Sequence, residues 1–139
     1  MKFARIVFVF EAVAINAGVG IMCFFFPAAF VAQFSHAAIP AANLELTRWY
    51  GVLLGVLAYA MLRVLPMKDD RVLQPVVEAL LFGDLAHLAA SALFFRAVPV
   101  WSFSFIFMIG MSAFLAGVRT YWLILYRRRK SGERNRVSA

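Results

Sequence analysis

Residues 78–91, EALLFGDLAHLAAS, place Glu78, Asp84 and His87 inside an apolar run long enough to cross a bilayer. An ionisable group at that depth costs about 2.5–3.5 kcal/mol on insertion scales, so it faces a cavity or a partner and marks function. Asp84 and His87 stand three apart and Ser91 follows Asp84 by a heptad, so the three share one helix stripe. Glu78 lies about 120° round the helix from Asp84 and borders that stripe. A carboxylate and an imidazole in a dry site are the parts of a proton-transfer device. The same residues could equally form a polar knot between helices, because buried polar groups need partners whatever their job.

Outward from this stretch the chain stays apolar. Of its 139 residues 64% are hydrophobic and 15% charged, with a mean hydropathy of +0.83. Soluble domains carry about 25% charged residues, so the deficit points to a membrane protein of one small domain. The formal charge of +7 and the pI near 10.3 would suit nucleic acid. The basic residues, however, collect at the ends of apolar runs, which is the orientation signal of a membrane protein. Cys23, the single cysteine, excludes an internal disulfide, and one Cys with two His offers no zinc ligand set. Neither a Gly-rich phosphate loop nor a G-x-S-x-G elbow occurs. The expected chemistry therefore needs no cofactor and no metal, and no nucleic-acid partner is expected.

Hydropathy predicts an all-α, integral membrane four-helix bundle over residues 1–126, with spans at about 3–26, 44–65, 72–95 and 100–126. A basic tail, 127–139, follows and is expected to be disordered. The first run reads as a retained span, since it carries Glu11 and Asn16 and ends in an aromatic cluster. Its Ala12, Ala14, Ala17, Gly18 and Gly20 offer a small-residue surface on which another helix can approach. On an α-helix Asn16 is turned about 140° from Glu11, so the two cannot both point straight at one spot, though both can border a wide cavity.

Residues 27–44 mix prolines and polar residues with Phe30, Val31 and Phe34, as a surface segment lidding a cavity would. His36 there reads as a solvated loop residue. Arg48 is expected to need a carboxylate, either Glu45 or one from a neighbouring span. The turn MKDDR, 67–71, reads as solvated, and Pro75 falls in the first turn of the third span.

Twelve Lys and Arg residues, Arg119 among them, fall at the N-terminus, the 66–71 turn and the C-terminal end; Arg48 and Arg96 alone occupy the other side. Both termini are therefore expected to be cytoplasmic, in the endoplasmic reticulum membrane, with the tail beside anionic lipid.

By depth, Glu11 and Glu78 lie about two turns in from the cytoplasmic face, Asn16, Asp84 and His87 nearer the middle, and Arg48 and Tyr50 toward the far side. Two carboxylates brought together in low dielectric share a proton and so supply a general acid beside a general base. A polar core walled by Phe, Leu and Met suits a lipophilic small-molecule substrate bearing one or two oxygens. The pocket lies within one chain or, in a homodimer, between two.

Glu11 with Asn16-Ala17-Gly18 and Pro27, then Leu46-Thr47-Arg48-Trp49-Tyr50-Gly51, then Gly83-Asp84-Leu85-Ala86-His87, resembles a group of small fungal four-helix membrane proteins. Within that group the pattern looks most like the membrane epoxide hydrolases and cyclases of aurovertin- and citreoviridin-type polyketide pathways. The resemblance covers about residues 8–95. It implies regio- and stereocontrolled opening of polyene epoxides to cyclic ethers, and Glu11, Asn16, Arg48, Tyr50, Asp84 and His87 are the positions that match. Glu11, Asp84 and His87 are expected to be catalytic and Asn16, Arg48 and Tyr50 to bind or orient substrate, with Glu78 added to the second group from its position beside the Asp84 stripe. A more distant likeness to sterol-isomerase-like and terpene-cyclase-like membrane enzymes implies proton shuttling across a double bond. A non-enzymatic lipid-binding subunit is the reading from another class.

Overall fold

The computed structural model describes residues 2–34, 38–67, 69–99 and 101–137, with side chains through residue 132. His36, Lys68 and the side chains of Arg134 and Arg136 lie outside the described residues. Four helices are long and apolar enough to cross a membrane, α1 (Lys2–Phe25), α3 (Ala41–Val64), α4 (Asp70–Ala97) and α5 (Phe103–Val137), and a short helix α2 (Pro27–Val31) follows the first. Among the described residues there is no strand. The protein is an all-α, integral membrane four-helix bundle. Helices suit this setting because each satisfies its own backbone N–H and C=O groups where no water can.

The ends of the helices follow local chemistry. Phe26 leaves the helical region at φ −128°, ψ 51°, as the residue before a proline tends to do, and Pro27 opens α2 where its missing N–H is not needed. Pro40, extended at φ −59°, ψ 145°, starts α3. Asp69 caps α4 by accepting from the Arg71 backbone N–H at 2.8 Å. Because α4 begins at Asp70, Pro75 sits in its second turn, deeper than expected from the sequence. Its ring there leaves the carbonyl four residues back without an intrahelical donor.

Two helix pairs make up the bundle, α1 with α3 and α4 with α5. The first pair closes on glycine: a Cβ added to Gly51 would stand 2.7 Å from the Gly20 carbonyl oxygen and 2.9 Å from the Phe24 nitrogen. Only a residue without a side chain allows that approach, and in lipid such close packing is a main source of helix association.

The two pairs meet at one end in a core that includes Ala4, Phe8, Met61, Leu65, Val77, Trp122 and Tyr126. Trp122 and Tyr126 stack there, with centroids 5.4 Å apart. Arg5 clasps the same end, donating to the Leu65 carbonyl at 2.8 Å and pairing with Asp70 at 2.9 Å. The aspartates of the 67–71 turn thus serve as a cap and a clasp. Outward-facing Ile6, Val13, Ile21, Val56 and Phe82 are exposed, as lipid-facing residues should be.

The tail departs from expectation. α5 runs on through Arg127–Lys130 to Val137, since good helix formers in that run carry the helix past the apolar span.

Candidate active site

The site begins with a change of helix type. Residues Glu11–Ala17 of α1 form a π-helix, whose hydrogen bonds run i→i+5. The wider coil has about 4.4 residues per turn, so positions five apart nearly eclipse instead of diverging. Glu11 and Asn16 are consequently both buried, at 4% and 5% exposure, and both line one cavity. That both border one wide cavity agrees with the sequence reading; the π-segment relaxes only the divergence that α-helical spacing would impose. π-segments are uncommon and occur mostly at functional positions.

Opposite Glu11 stands Arg119, on the inward stripe of α5 with Leu115 and Ser112, and 0% exposed. It forms ion pairs with Glu11 through Nη2 and with Asp84 through Nη1, and Nη1 also donates to the Leu80 carbonyl at 3.3 Å. One guanidinium therefore ties α1, α4 and α5 together, and it joins Glu11 to Asp84, which the sequence reading set nearer the middle, and not to Glu78, which it set level with Glu11. Planar, permanently charged and rich in donors, arginine suits such a double-carboxylate contact better than lysine. Glu11 Oε1 takes the contact with Arg119, while Glu11 Oε2 is buried and has no hydrogen-bond partner among the described residues.

Three turns of α4 complete the wall. Pro75, Ala79, Leu80, Gly83, Asp84 and His87 fall on its inward stripe. His87 Nδ1 lies 2.8 Å from Ser112 Oγ on α5. Asn16 donates to the Met61 sulfur at 3.3 Å, and Tyr50 adds a phenol from α3. Across the far end, Ser104 donates to Gln33 Oε1 at 3.0 Å, joining α5 to the segment after α2; Phe30 of α2 and Gln33 and Phe34 of that segment wall the same space. The cavity measures about 1030 Å³, is partly open at its mouth and is lined mainly by apolar side chains.

Of the residues expected from sequence, Glu11, Asn16, Tyr50, Asp84 and His87 come together at this cavity. Arg48 and Glu78 do not. Arg48 pairs with Glu45 one turn away on its own helix, exposed, so it is not the cation that holds a site carboxylate. Glu78 accepts from Gln74 at 3.1 Å and reaches Arg127 at 3.5 Å on an exposed face between α4 and α5. Its position about 120° round α4 from Asp84 turns it off the cavity stripe.

Arg119 is the residue that sequence reasoning missed, because it was counted with the basic residues that flank the last span. It lies eight residues before Arg127, or about 12 Å of helix deeper. The test that singled out Asp84, a charge inside an apolar run, applies equally to it. Ser112 carried no such signal, since a serine in a membrane helix can bond to its own backbone.

No family model, curated protein or solved structure matches the chain.

Proposed function

We propose that the cavity is the active site of an integral membrane enzyme that opens an epoxide on a lipophilic polyene substrate by general acid–base catalysis. The observation that carries this reading is the unpartnered Oε2 of Glu11, buried at the wall of a large apolar cavity beside a second carboxylate. A structural carboxylate would be expected to have both oxygens satisfied. The motif resemblance around Glu11, Arg48 and Asp84 supplies the epoxide, and the cavity supports a lipophilic occupant with few polar groups.

Charge balance supplies the chemistry. Fully ionised, Glu11, Asp84 and Arg119 would leave one uncompensated negative charge inside the bundle, and one proton held on a carboxyl makes the group neutral. That carboxyl donates its proton to the epoxide oxygen as a C–O bond breaks. Water or a substrate hydroxyl forms the new C–O bond and loses its proton to the other carboxylate or to His87. Water gives a diol and a hydroxyl gives a cyclic ether; no electrons are gained or lost. Ser112 fixes the His87 ring, Asn16 and Tyr50 orient the oxygens, and Arg119 positions both carboxylates.

A second reading has its own observation. Arg119 is fully buried and bridges three helices, as a purely structural clamp would. Glu11→Gln and Asp84→Asn, purified in lipid nanodiscs and supplied with a polyene epoxide, separate the two. Each should keep the fold and lose at least ~100-fold in rate, the lower end for general acid–base catalysis. Folded variants turning over at the parent rate would leave only the clamp.

A further inference from the structure

The cavity does not end at His87. A second space of about 520 Å³ opens beyond it, bounded by Val31, Ile39, Ala90, Phe94 and Phe105. His87, Phe34 and Met108 line both spaces. Along α4 the inward stripe of Gly83, Asp84 and His87 continues one turn at a time as Ala90, Ser91, Phe94 and Val98. The two spaces are therefore successive parts of one groove. The first carries the carboxylates; the second is walled mainly by apolar side chains, with Phe94 and Phe105 5.7 Å apart between centroids, and Asn43, His87 and Ser91 are the polar residues on its wall.

We infer that the Ala90–Phe94–Phe105 space is a tail subsite, which holds the apolar chain of the same substrate whose epoxide lies between Glu11 and Asp84 and which selects that chain by length and shape. This rests on the proposed reading of the Glu11–Asp84 cavity as a substrate site. Asp84 and Phe94 are ten residues apart on α4, about 15 Å along its axis, so a chain of roughly a dozen carbons covers the distance. The substrate class is thus a long linear epoxide with an extended unsaturated or alkyl tail. A tail leaving the bilayer for this pocket gains no hydrophobic free energy, because lipid is as apolar as the pocket. The subsite therefore sorts by fit. Ala90 is its specificity residue, since it is the smallest side chain on the stripe between His87 and Phe94.

The test uses the full chain in nanodiscs with two epoxides bearing a diazirine at the tail end, a short one that stops before Ala90 and a long one that reaches Phe94. On illumination the long probe is expected to label residues between 90 and 108, and the unlabelled long epoxide is expected to compete it away. Ala90→Trp fills the subsite and should reduce that labelling, and turnover of the long epoxide, by at least ~10-fold while sparing the short one. If Ala90→Trp fails to fold, Phe105→Ala carries the test: it enlarges the pocket and should favour a branched tail over a straight one relative to the parent. Labelling confined to lipid-facing residues such as Ile6 or Phe82, or a length preference unchanged in the folded variants, overturns the subsite. Competed labelling between 90 and 108 without turnover would keep the subsite and reject the epoxide-opening reaction.

Discussion

Arg119→Met is the most informative single perturbation. Methionine roughly keeps the volume and removes the only guanidinium that Glu11 and Asp84 contact among the described residues. Glu11 is 4% exposed and Arg119 0% exposed, so the few waters the cavity admits solvate a stranded charge far less well than bulk solvent does. Removing one member of a buried ion pair costs about 3–5 kcal/mol, because the charge left behind stays desolvated. The hydrogen bond from Arg119 to the Leu80 carbonyl is lost as well, but that carbonyl is already engaged in its own helix and adds little. For a chain of this size the change corresponds to a fall in Tm of roughly 10–20 °C. Scanning fluorimetry of the nanodisc-embedded protein reads it directly, since Trp122 lies one turn beyond Arg119 in the same core.

The reasoning also makes a compensatory demand. Replacing a whole buried ionic group by neutral residues of similar volume is often neutral or stabilising. The triple variant Glu11→Gln, Asp84→Asn, Arg119→Met should therefore melt well above Arg119→Met alone while remaining inactive. An Arg119→Met protein that melts with the parent would refute the buried three-way contact. A triple variant no more stable than the single would show that the loss arises from packing and not from stranded charge.

Other consequences follow from particular contacts. Gly51→Ala puts a methyl against the Gly20 carbonyl and should cost about 1–3 kcal/mol by thermal denaturation, whereas Gly55→Ala, with nothing within 4 Å of its new Cβ, should melt as the parent does. Arg48→Met breaks only an exposed pair within one helix, so stability should change by no more than ~1 kcal/mol; a large loss would reveal a partner that Glu45 does not represent. Cysteines introduced at Lys2 and Lys130 of a Cys23→Ser chain should both react with an impermeant maleimide from the same side, as the twelve-to-two division of basic residues demands. Labelling from opposite sides would refute that orientation.

The four spans were legible because bilayer thickness dictates their length and hydrocarbon dictates their composition, and both are written in the order of residues. Asp84 and His87 were legible for the same reason in reverse: an ionisable group inside such a run is conspicuous, and α-helical spacing puts the two on one stripe. The sequence by itself thus determined the fold class, the number of long apolar spans and that Glu11, Asp84 and His87 lie inside them. It could not determine which charge meets which. Arg119 and Glu11 are 108 residues apart, and no local periodicity links them. Arg48 was the more conspicuous arginine from sequence, yet Glu45 lies one turn away and satisfies it locally. The π-helix at Glu11–Ala17 lay equally out of reach, because no residue type in that run signals an extra residue per turn, and the partner of its Glu11 comes from α5. Only once three helices were packed did Glu11 and Asn16 turn to one side. The tertiary structure decided the site, because a site is a relation between helices and each helix alone carries only its own face.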